Sequence, residues 1–400
     1  MQLTPFSEVA ATENNPRWKE LTARRGKLYP RKDDIRTEFF RDYNRILHSQ
    51  AYGRLKHKTQ VFFAPRNDHV CTRMEHVNHV ASVSYSLCKQ LGLNTELAMA
   101  IAIGHDLGHA PFGHHGETIL TGLVNRFSRD KFWHEKNSLW FVDRIETLPG
   151  PDGKEHGLNL TYAVRDGIVC HCGEVDTRAT FPRTEYIDLE SITKPAQYEP
   201  YTWEGCVVKI ADKVSYYGRD IEDAAGLGIL DGDLHKELVR RVKYALGKHI
   251  RVRDVTNTFL MHKFMIDLCS QSNPDSGLTF SEEFLELLEV LKAFSQSYIY
   301  NHPRLEIFKN HAEVILHSIF DKLLIMWNGN DSLTDIRALH RYPLTSQFFG
   351  DWLEKHSSAV KTNWIYDITD KRQYKKAIID YISGMTDSFA IRTFNEIITF

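Results

Sequence analysis

The segment from Glu96 to Asp106, ELAMAIAIGHD, constrains the fold more than any other part of the sequence. Small and apolar residues fill nearly every position, so a helix in this segment is predicted to be buried on most of its sides. It ends in His105 and Asp106, although charged groups rarely enter a protein interior without a partner. The pair therefore indicates a functional centre at the end of a buried helix.

Most other segments also carry a helical pattern. Residues Arg73 to Leu91 place apolar side chains three and four positions apart, with Gly92 as a stop signal and Asn94 or Thr95 as the next cap. A second strong helix is predicted from about Glu204 to Ala225, and residues 234–400 are helical in pattern. Turn-rich sequences interrupt the helices at residues 148–157 and 177–203. The chain is therefore predicted to be all-α, with little or no sheet.

Composition excludes several classes of protein. The 400 residues hold 50 Lys and Arg against 52 Asp and Glu, and a net charge of −2 argues against bulk nucleic-acid binding. No apolar run approaches the roughly 20 residues of a membrane span, and the N-terminus lacks the pattern of a signal peptide. Six cysteines are too few for a disulfide scaffold. These features predict a cytoplasmic protein without a membrane partner.

Histidines are concentrated in one window. Eight of the 20 lie between His69 and His134, which predicts metal or phosphate chemistry in this region. His76, His105, Asp106 and Asp212 would supply mixed nitrogen and oxygen ligands for a divalent ion such as Mn, Fe, Mg or Zn. For an isolated His-Asp dipeptide, a structural ion pair is the alternative interpretation.

Three motifs together resemble a known family. They are RMEH at residues 73–76, HDLGHAPFGHHGE at 105–117 and ADKVSYYGRD at 211–220. They are similar to the HD superfamily of metal-dependent phosphohydrolases, and more narrowly to its deoxynucleoside triphosphate triphosphohydrolases, the dGTPase-like enzymes. The resemblance spans about residues 35–225. It implies an N-terminal extension (1–34), an HD-type helical core (35–230) and additional C-terminal helices (231–400) that complete the pocket and make oligomer contacts.

The resemblance also implies roles for single residues. The ligands of one divalent metal ion, Mn²⁺ or Mg²⁺ first and Fe²⁺, Co²⁺ or Zn²⁺ as alternatives, would be His76, His105, Asp106 and Asp212. The catalytic residues around the scissile phosphate would be His109, His114 and Glu117, where Glu117 is expected to orient the imidazole of His114. The substrate contacts would be Gln60, Arg73, His134, Lys213, Tyr216 and Asp220.

The implied reaction is hydrolysis of a deoxynucleoside triphosphate to a deoxynucleoside and inorganic tripolyphosphate. The implied assembly is a homo-oligomer, a tetramer or hexamer, and a nucleotide effector at a second site stays open. One alternative is an HD-type nucleotidase or phosphodiesterase acting on another nucleotide. A second alternative is a regulatory protein that binds nucleotides or single-stranded nucleic acid, which no sequence feature supports.

The triplet Cys170-His171-Cys172 invites a zinc interpretation. It lacks the two-residue gap that lets two thiolates hold one tetrahedral ion, and the sequence contains no CxxC partner. We therefore predict that the triplet serves packing.

Overall fold

Helices form nearly all of the regular structure in a computed structural model that describes residues 6–28, 34–63, 69–173, 179–247, 255–339, 341–358 and 364–399. These residues contain seventeen α-helices and a single sheet of two short strands. The prediction of an all-α fold with little sheet is confirmed. Among the described residues, no helix has the length and apolar character needed to cross a membrane.

The first nine helices include the buried segment that the sequence singles out. In chain order they are α1 (Trp18–Leu21), α2 (Glu38–Leu47), α3 (Gln50–Arg54), α4 (Arg73–Leu91), α5 (Thr95–Gly104), α6 (Gly113–Val124), α7 (His134–Trp140), α8 (Tyr162–Cys170) and α9 (Trp203–Gly226). Helix α5 packs against α2, α4, α8 and α9. The side chains of α5 are buried from Leu97 onward except Met99, as its composition predicts.

The ends of α4 and α5 follow the predicted signals. Thr72 and Glu75 form a capping box at the start of α4, and Gly92 ends it with a φ of 85°. The side chain of Asn94 then accepts hydrogen bonds from the backbone of Glu96 and Leu97. These caps place the start of α4 and the end of α5, which carry Arg73, His76 and His105, side by side.

The remaining eight helices cover the open sides of this core. They are α10 (Gly232–Leu246), α11 (Asn257–Gln271), α12 (Glu282–Ser295), α13 (Pro303–Ile325), α14 (Ser332–Arg337), α15 (Gly350–His356), α16 (Lys371–Ser383) and α17 (Asp387–Ile398). Helices α11 and α12 pack against α9, whereas α13 packs against α6, α16 and α17. The C-terminal helices therefore lie against the elements that carry the motifs.

The short elements differ from the sequence expectation in one respect. The turn-rich stretch at residues 148–157 contains an antiparallel hairpin of β1 (Thr147–Pro149) and β2 (Glu155–Gly157). In the part of the chain that the structure describes, three π-helical segments occur at Phe141–Ile145, Gln296–Tyr300 and Thr345–Phe349, and 3₁₀ turns at Leu55–His57, Leu189–Ser191 and Gly329–Asp331.

Buried apolar residues from Phe6 to Ala390 belong to one cluster. The proposed boundaries at residues 34 and 230 stay predictions, and part of the N-terminal extension, residues 1–5 and 29–33, lies outside the described residues.

Candidate active site

The four predicted metal ligands meet at one point between α4, α5 and α9. The distance from His76 Nε2 to Asp212 Oδ1 is 2.9 Å, and His105 Nε2 lies 3.7 Å from the same oxygen. Asp106 Oδ1 is 3.4 Å from His105 Nε2. Two imidazoles and two carboxylates are therefore close together at this point.

The orientation of His105 fits a metal ligand. Its Nδ1 lies 2.6 Å from the backbone oxygen of Ala102, so this nitrogen carries the proton and Nε2 keeps a lone pair. That Nε2 is buried and has no hydrogen-bond partner. A buried nitrogen of this kind is costly unless a ligand satisfies it. The ligand atoms of His76, His105 and Asp212 all lie within 4.8 Å of one another, so the cluster could hold a metal ion.

Both carboxylates of this cluster are held in the charged form. Burial alone would raise the pKa of Asp106, but His109, His105 and Arg73 together hold it well below its usual range. Burial of Asp212 is likewise outweighed by the hydrogen bond from His76 and the electrostatic effect of the nearby His105, so its pKa is also lowered. Charged carboxylates are the state that a divalent cation requires.

The guanidinium of Arg73, which was predicted to contact the substrate, is already hydrogen-bonded to other residues of the protein. Its Nη1 donates to Asp106 Oδ2 at 2.6 Å, and its Nε donates to the backbone oxygen of Thr59 at 3.2 Å. The side chain lines the main cavity, although it is only 2% exposed. Arg73 therefore connects the candidate metal ligands to the segment that carries Gln60.

A second cluster forms around Glu117, and it adjoins Asp106 through His109 and His134. Glu117 Oε1 lies 2.5 Å from His109 Nδ1, 3.1 Å from His134 Nδ1 and 3.6 Å from His114 Nδ1. The rings of His109 and His134 stack with their centroids 3.8 Å apart. Glu117 was expected to orient His114, and in the structure it contacts His109 and His134 more closely.

The imidazoles of this second cluster differ in charge. Burial and the nearby Arg73 lower the pKa of His109 to about 4, so it is neutral near pH 7. Burial also opposes the charge on His134, but Glu117 and Glu135 outweigh it and raise the pKa of His134 to about 10. The side chain of His114 is 73% exposed, so it meets solvent at the mouth of the site.

These clusters face a cavity of about 580 Å³. Eleven of the thirteen predicted site residues line it, and the other two, His105 and Glu117, lie behind the wall in contact with lining residues. The eleven are Gln60, Arg73, His76, Asp106, His109, His114, His134, Asp212, Lys213, Tyr216 and Asp220. This size suits a nucleotide-sized molecule.

One wall of the cavity is built from α9, and Gln60 also lines the cavity. Asp212, Tyr216 and Asp220 follow one another at four-residue spacing and all three line the wall. Asp220 Oδ2 accepts a 2.7 Å hydrogen bond from the hydroxyl of Tyr300, and burial raises the pKa of Asp220 to about 7. The side-chain oxygen of Gln60 is buried without a hydrogen-bond partner. These groups offer polar contacts to a ligand.

Several residues of the cavity wall were not predicted from the sequence. His171, which was assigned to packing, places its ring 4.8 Å from that of His105, with its Nδ1 2.7 Å from the oxygen of Ile168. Its sequence signal was present, since it lies one residue past a buried helix end, as His105 does. Residues from other elements that also line the cavity are Glu135, Cys172, Tyr300, Leu305, Phe308 and Lys309.

Comparison with known families agrees with this geometry. The chain matches the sequence model of the HD domain over residues 73–217, and that of the phosphohydrolase-associated domain over residues 345–396. The first segment includes every predicted metal ligand, and the second includes most of α16 and α17.

Several similar proteins cover almost the whole chain. One from Caldanaerobacter subterraneus subsp. tengcongensis is 33% identical over 92% of this chain and 86% of its own length. One from Desulfatibacillum aliphaticivorans is 31% identical over 91% of this chain and 88% of its own length. A third, from Rickettsia prowazekii, is 29% identical over 93% of this chain and 95% of its own length. All three carry the name deoxyguanosinetriphosphate triphosphohydrolase-like protein.

Proposed function

Because this chain belongs to the family of deoxyguanosinetriphosphate triphosphohydrolase-like proteins, we propose that it is a metal-dependent hydrolase of deoxynucleoside triphosphates. The products would be a deoxynucleoside and inorganic tripolyphosphate. The observation that carries this proposal is that three sets of groups share one cavity. The candidate metal ligands adjoin the Glu117 cluster, because Asp106 lies 3.1 Å from His109. Helix α9 continues along the same wall from Asp212 to Tyr216 and Asp220, and Gln60 also lines the cavity.

The cations of the cavity suit a triphosphate. Lys213 and Arg73 line the wall, and His134 is protonated near pH 7 because Glu117 and Glu135 raise its pKa to about 10. Together they would offset the negative charge of the phosphate chain. A divalent ion held by His76, His105, Asp106 and Asp212 would supply Lewis-acid polarisation of a phosphoryl oxygen.

The Glu117 cluster would manage the proton of the reaction. Water attacks the α-phosphorus, the bond from phosphorus to the 5′ oxygen breaks, and a proton must reach that oxygen. His114 is within 3.6 Å of Glu117 and meets the cavity from its exposed side, so we assign it this proton transfer. His109 lies between the two carboxylates, 3.1 Å from Asp106 and 2.5 Å from Glu117, so we assign it the role of separating them.

The α9 face would bind the sugar. Asp220 would accept a hydrogen bond from the 3′-hydroxyl, because its second oxygen is left over when Tyr300 donates to the first. Tyr216 would pack against the sugar or base, and Gln60 would satisfy its buried side-chain oxygen on the same group.

The finer parts of the proposal are Mn²⁺ or Mg²⁺ as the metal, a homo-oligomeric assembly and a cytoplasmic location. They are supported by the mixed nitrogen and oxygen donor set, by the family and by the sequence composition, respectively.

The test is to incubate the metal-loaded protein with each of the four dNTPs and with GTP, singly and mixed, and to separate the products by ion-exchange chromatography. A deoxynucleoside and tripolyphosphate are expected in equal amounts. His105→Gln should lose at least a hundredfold in activity and lose bound metal, whereas His156→Gln, which changes an exposed histidine, should keep both. Turnover of monophosphates or cyclic dinucleotides alone would contradict the assigned substrate, and nucleotide binding without turnover would favour a regulatory protein.

A further inference from the structure

Two buried ionisable side chains connect the C-terminal helices to the loop that carries His109 and His114. Lys58 is 2% exposed and Asp387, the first residue of α17, is 3% exposed. Neither side chain lines the cavity. Burying a charge is costly, so each needs a reason to be there.

The carboxylate of Asp387 accepts three hydrogen bonds from two separate segments. Its Oδ1 accepts from the backbone nitrogen of Phe112 at 2.9 Å. Its Oδ2 accepts from the backbone nitrogen of Thr59 at 2.9 Å and also from the Thr59 hydroxyl. One side chain thus holds the residue before Gln60 and the residue before Gly113 at a fixed separation.

Phe112 is the point at which the loop turns into α6. Its φ is 65°, a left-handed conformation that is unusual for a bulky residue and needs surrounding contacts to persist. Helix α6 begins at the next residue, Gly113, without a side-chain cap. The direction of α6, and with it the positions of His114 and Glu117, therefore depends on the contacts that hold Phe112.

The other segment held by Asp387 carries the substrate contacts. The backbone oxygens of Thr59 and Gln60 accept from Nε and Nη2 of Arg73 at 3.2 and 3.4 Å. Lys58, which directly precedes Thr59 in the chain, makes a further contact between this segment and the C-terminal helices. Its Nζ donates to the backbone oxygen of Ser383, at the end of α16, at 2.8 Å and also to the backbone oxygen of His109.

We propose that Asp387 is a positioning residue of this enzyme, which acts with Lys58 to hold the His109–His114 loop in register with Gln60 and Arg73. The reaction in which it acts rests on the function proposed above. Stability of α17 does not explain the carboxylate, because Thr386 already caps that helix through a hydrogen bond from the backbone of Phe389. The role of the C-terminal helices is then to set the geometry of a site whose chemistry lies elsewhere.

The variant Asp387→Asn tests this inference, because an amide offers one accepting oxygen and points a donor at a donor. Its matched control is Asp380→Asn, which neutralises an equally buried carboxylate on α16 that is bonded to Tyr366 and Lys376. With the dNTP that is turned over best, we expect Asp387→Asn to lower kcat at least tenfold and to keep its bound metal. Asp380→Asn, at a similar loss of thermal stability, should keep kcat within twofold. Equal losses in both variants would overturn the inference.

Two further measurements cover other outcomes. If Asp387→Asn does not fold, Thr59→Val removes only the hydroxyl contact, and it should raise KM at least threefold with little change in kcat. An unchanged KM would contradict the inference.

If the wild-type protein turns over no nucleotide, the proposed function fails, but hydrogen exchange still tests the inference. Amides of residues 109–116 should exchange at least tenfold faster in Asp387→Asn than in Asp380→Asn, and equal rates would overturn it.

Discussion

Single residues in this site set the charge of their neighbours. Glu117 touches three imidazoles, and one of them, His109, is neutral near pH 7 while another, His134, is charged. Both rings are buried, so the difference comes from which charges face each ring. His134 lies between Glu117 and Glu135, whereas the charge of Arg73 acts on His109. One carboxylate therefore accompanies both a neutral and a cationic imidazole.

The pairing of Glu117 with His134 predicts a dependence of stability on pH. The folded-state pKa of His134, about 10, is above its unfolded value near 6.5, so the stabilisation is complete below pH 6.5 and is lost as pH rises towards 10. Glu117→Gln removes the partner. In metal-free protein, we expect wild type to unfold at a higher temperature than Glu117→Gln at pH 6.5, and the difference to shrink at pH 10. A difference that grows with pH would contradict the assigned ion pair.

Asp220 predicts that substrate binding depends on pH in the opposite direction, because here the deprotonated form is the favourable one. Its pKa is raised to about 7 by burial, so it is mostly neutral at pH 6 and mostly charged at pH 8. A charged carboxylate accepts a hydrogen bond more strongly, roughly twice as strongly as a neutral group. KM for a dNTP should therefore fall severalfold from pH 6 to pH 8, relative to KM for the matching 2′,3′-dideoxynucleotide. The same pH dependence with both nucleotides would show that Asp220 does not contact the 3′-hydroxyl.

The residues that the sequence identified are those held in place by local structure. His105 and Asp106 follow a buried helix, and Asp212, Tyr216 and Asp220 share one face of α9, so their placement follows from helix periodicity. Tyr300 and Phe308 come from distant elements whose packing leaves no periodic signal. Arg73 was identified, but its hydrogen bond to Asp106 depends on how α4 meets the end of α5.

At the scale of elements, the loop that follows His105 and Asp106 packs closely against α7. This contact sets the spacing between the candidate metal ligands and the Glu117 cluster. The backbone nitrogen of Gly108 donates to the hydroxyl of Ser138, and the amide of Asn137 donates to the oxygen of Gly108. A Cβ at Gly108 would lie 2.1 Å from the backbone nitrogen of Ser138 and 2.6 Å from the oxygen of His134. Glycine is thus required here by a neighbouring backbone, which the sequence could show only as a break in the helix.

Gly108→Ala should therefore displace α7 together with His134 and Glu135. We expect a loss of about 3 kcal/mol in the free energy of unfolding, at the upper end for overpacking, and at least a tenfold loss of kcat. The control is Gly122→Ala in α6, where an added Cβ meets nothing within 4 Å and should stabilise by about 0.5–1 kcal/mol. Chemical denaturation and steady-state kinetics measure both effects. If Gly108→Ala had the kinetic constants of the wild type, the position of α7 would not control kcat, which would contradict this prediction.

Element boundaries were predictable where one residue sets them and not where tertiary contacts do. Gly92 and Asn94 end α4 and begin α5 as predicted. Helix α6 begins at Gly113, directly after the left-handed Phe112, whose backbone nitrogen donates to Asp387 of a distant helix, and that contact has no signal in the local sequence. The hairpin at Thr147–Gly157 was not predicted, because three-residue strands flanked by proline and glycine are too short to show an alternation of apolar and polar residues.

At the scale of the whole molecule, the segment that matches the phosphohydrolase-associated domain is part of the same core as the site. Helix α13 packs against α6, which carries Glu117, and also against α16 and α17, and α16 packs against α6 directly. Side chains from residues 345–396 that are fully buried in the shared cluster include Phe349, Leu353, Tyr374, Ile378 and Ile382. Since one apolar core spans the predicted boundary at residue 230, we expect the full chain to unfold in a single cooperative transition.

A chain that ends at Leu344 should therefore fail to fold. Exposing a buried large apolar side chain costs about 1.5–3 kcal/mol, so five of them cost about as much as the whole stability of a typical protein, roughly 5–15 kcal/mol. We expect the shortened chain to show no cooperative thermal transition by circular dichroism and no nucleotide turnover. Co-expression with residues 345–400 as a separate chain should restore folding and turnover, because the lost contacts are non-covalent. The same separate chain carrying Asp387→Asn should restore folding but not full turnover. A shortened chain that melts cooperatively would instead show that residues 1–344 fold alone, and full turnover by it would contradict a positioning role for the C-terminal helices.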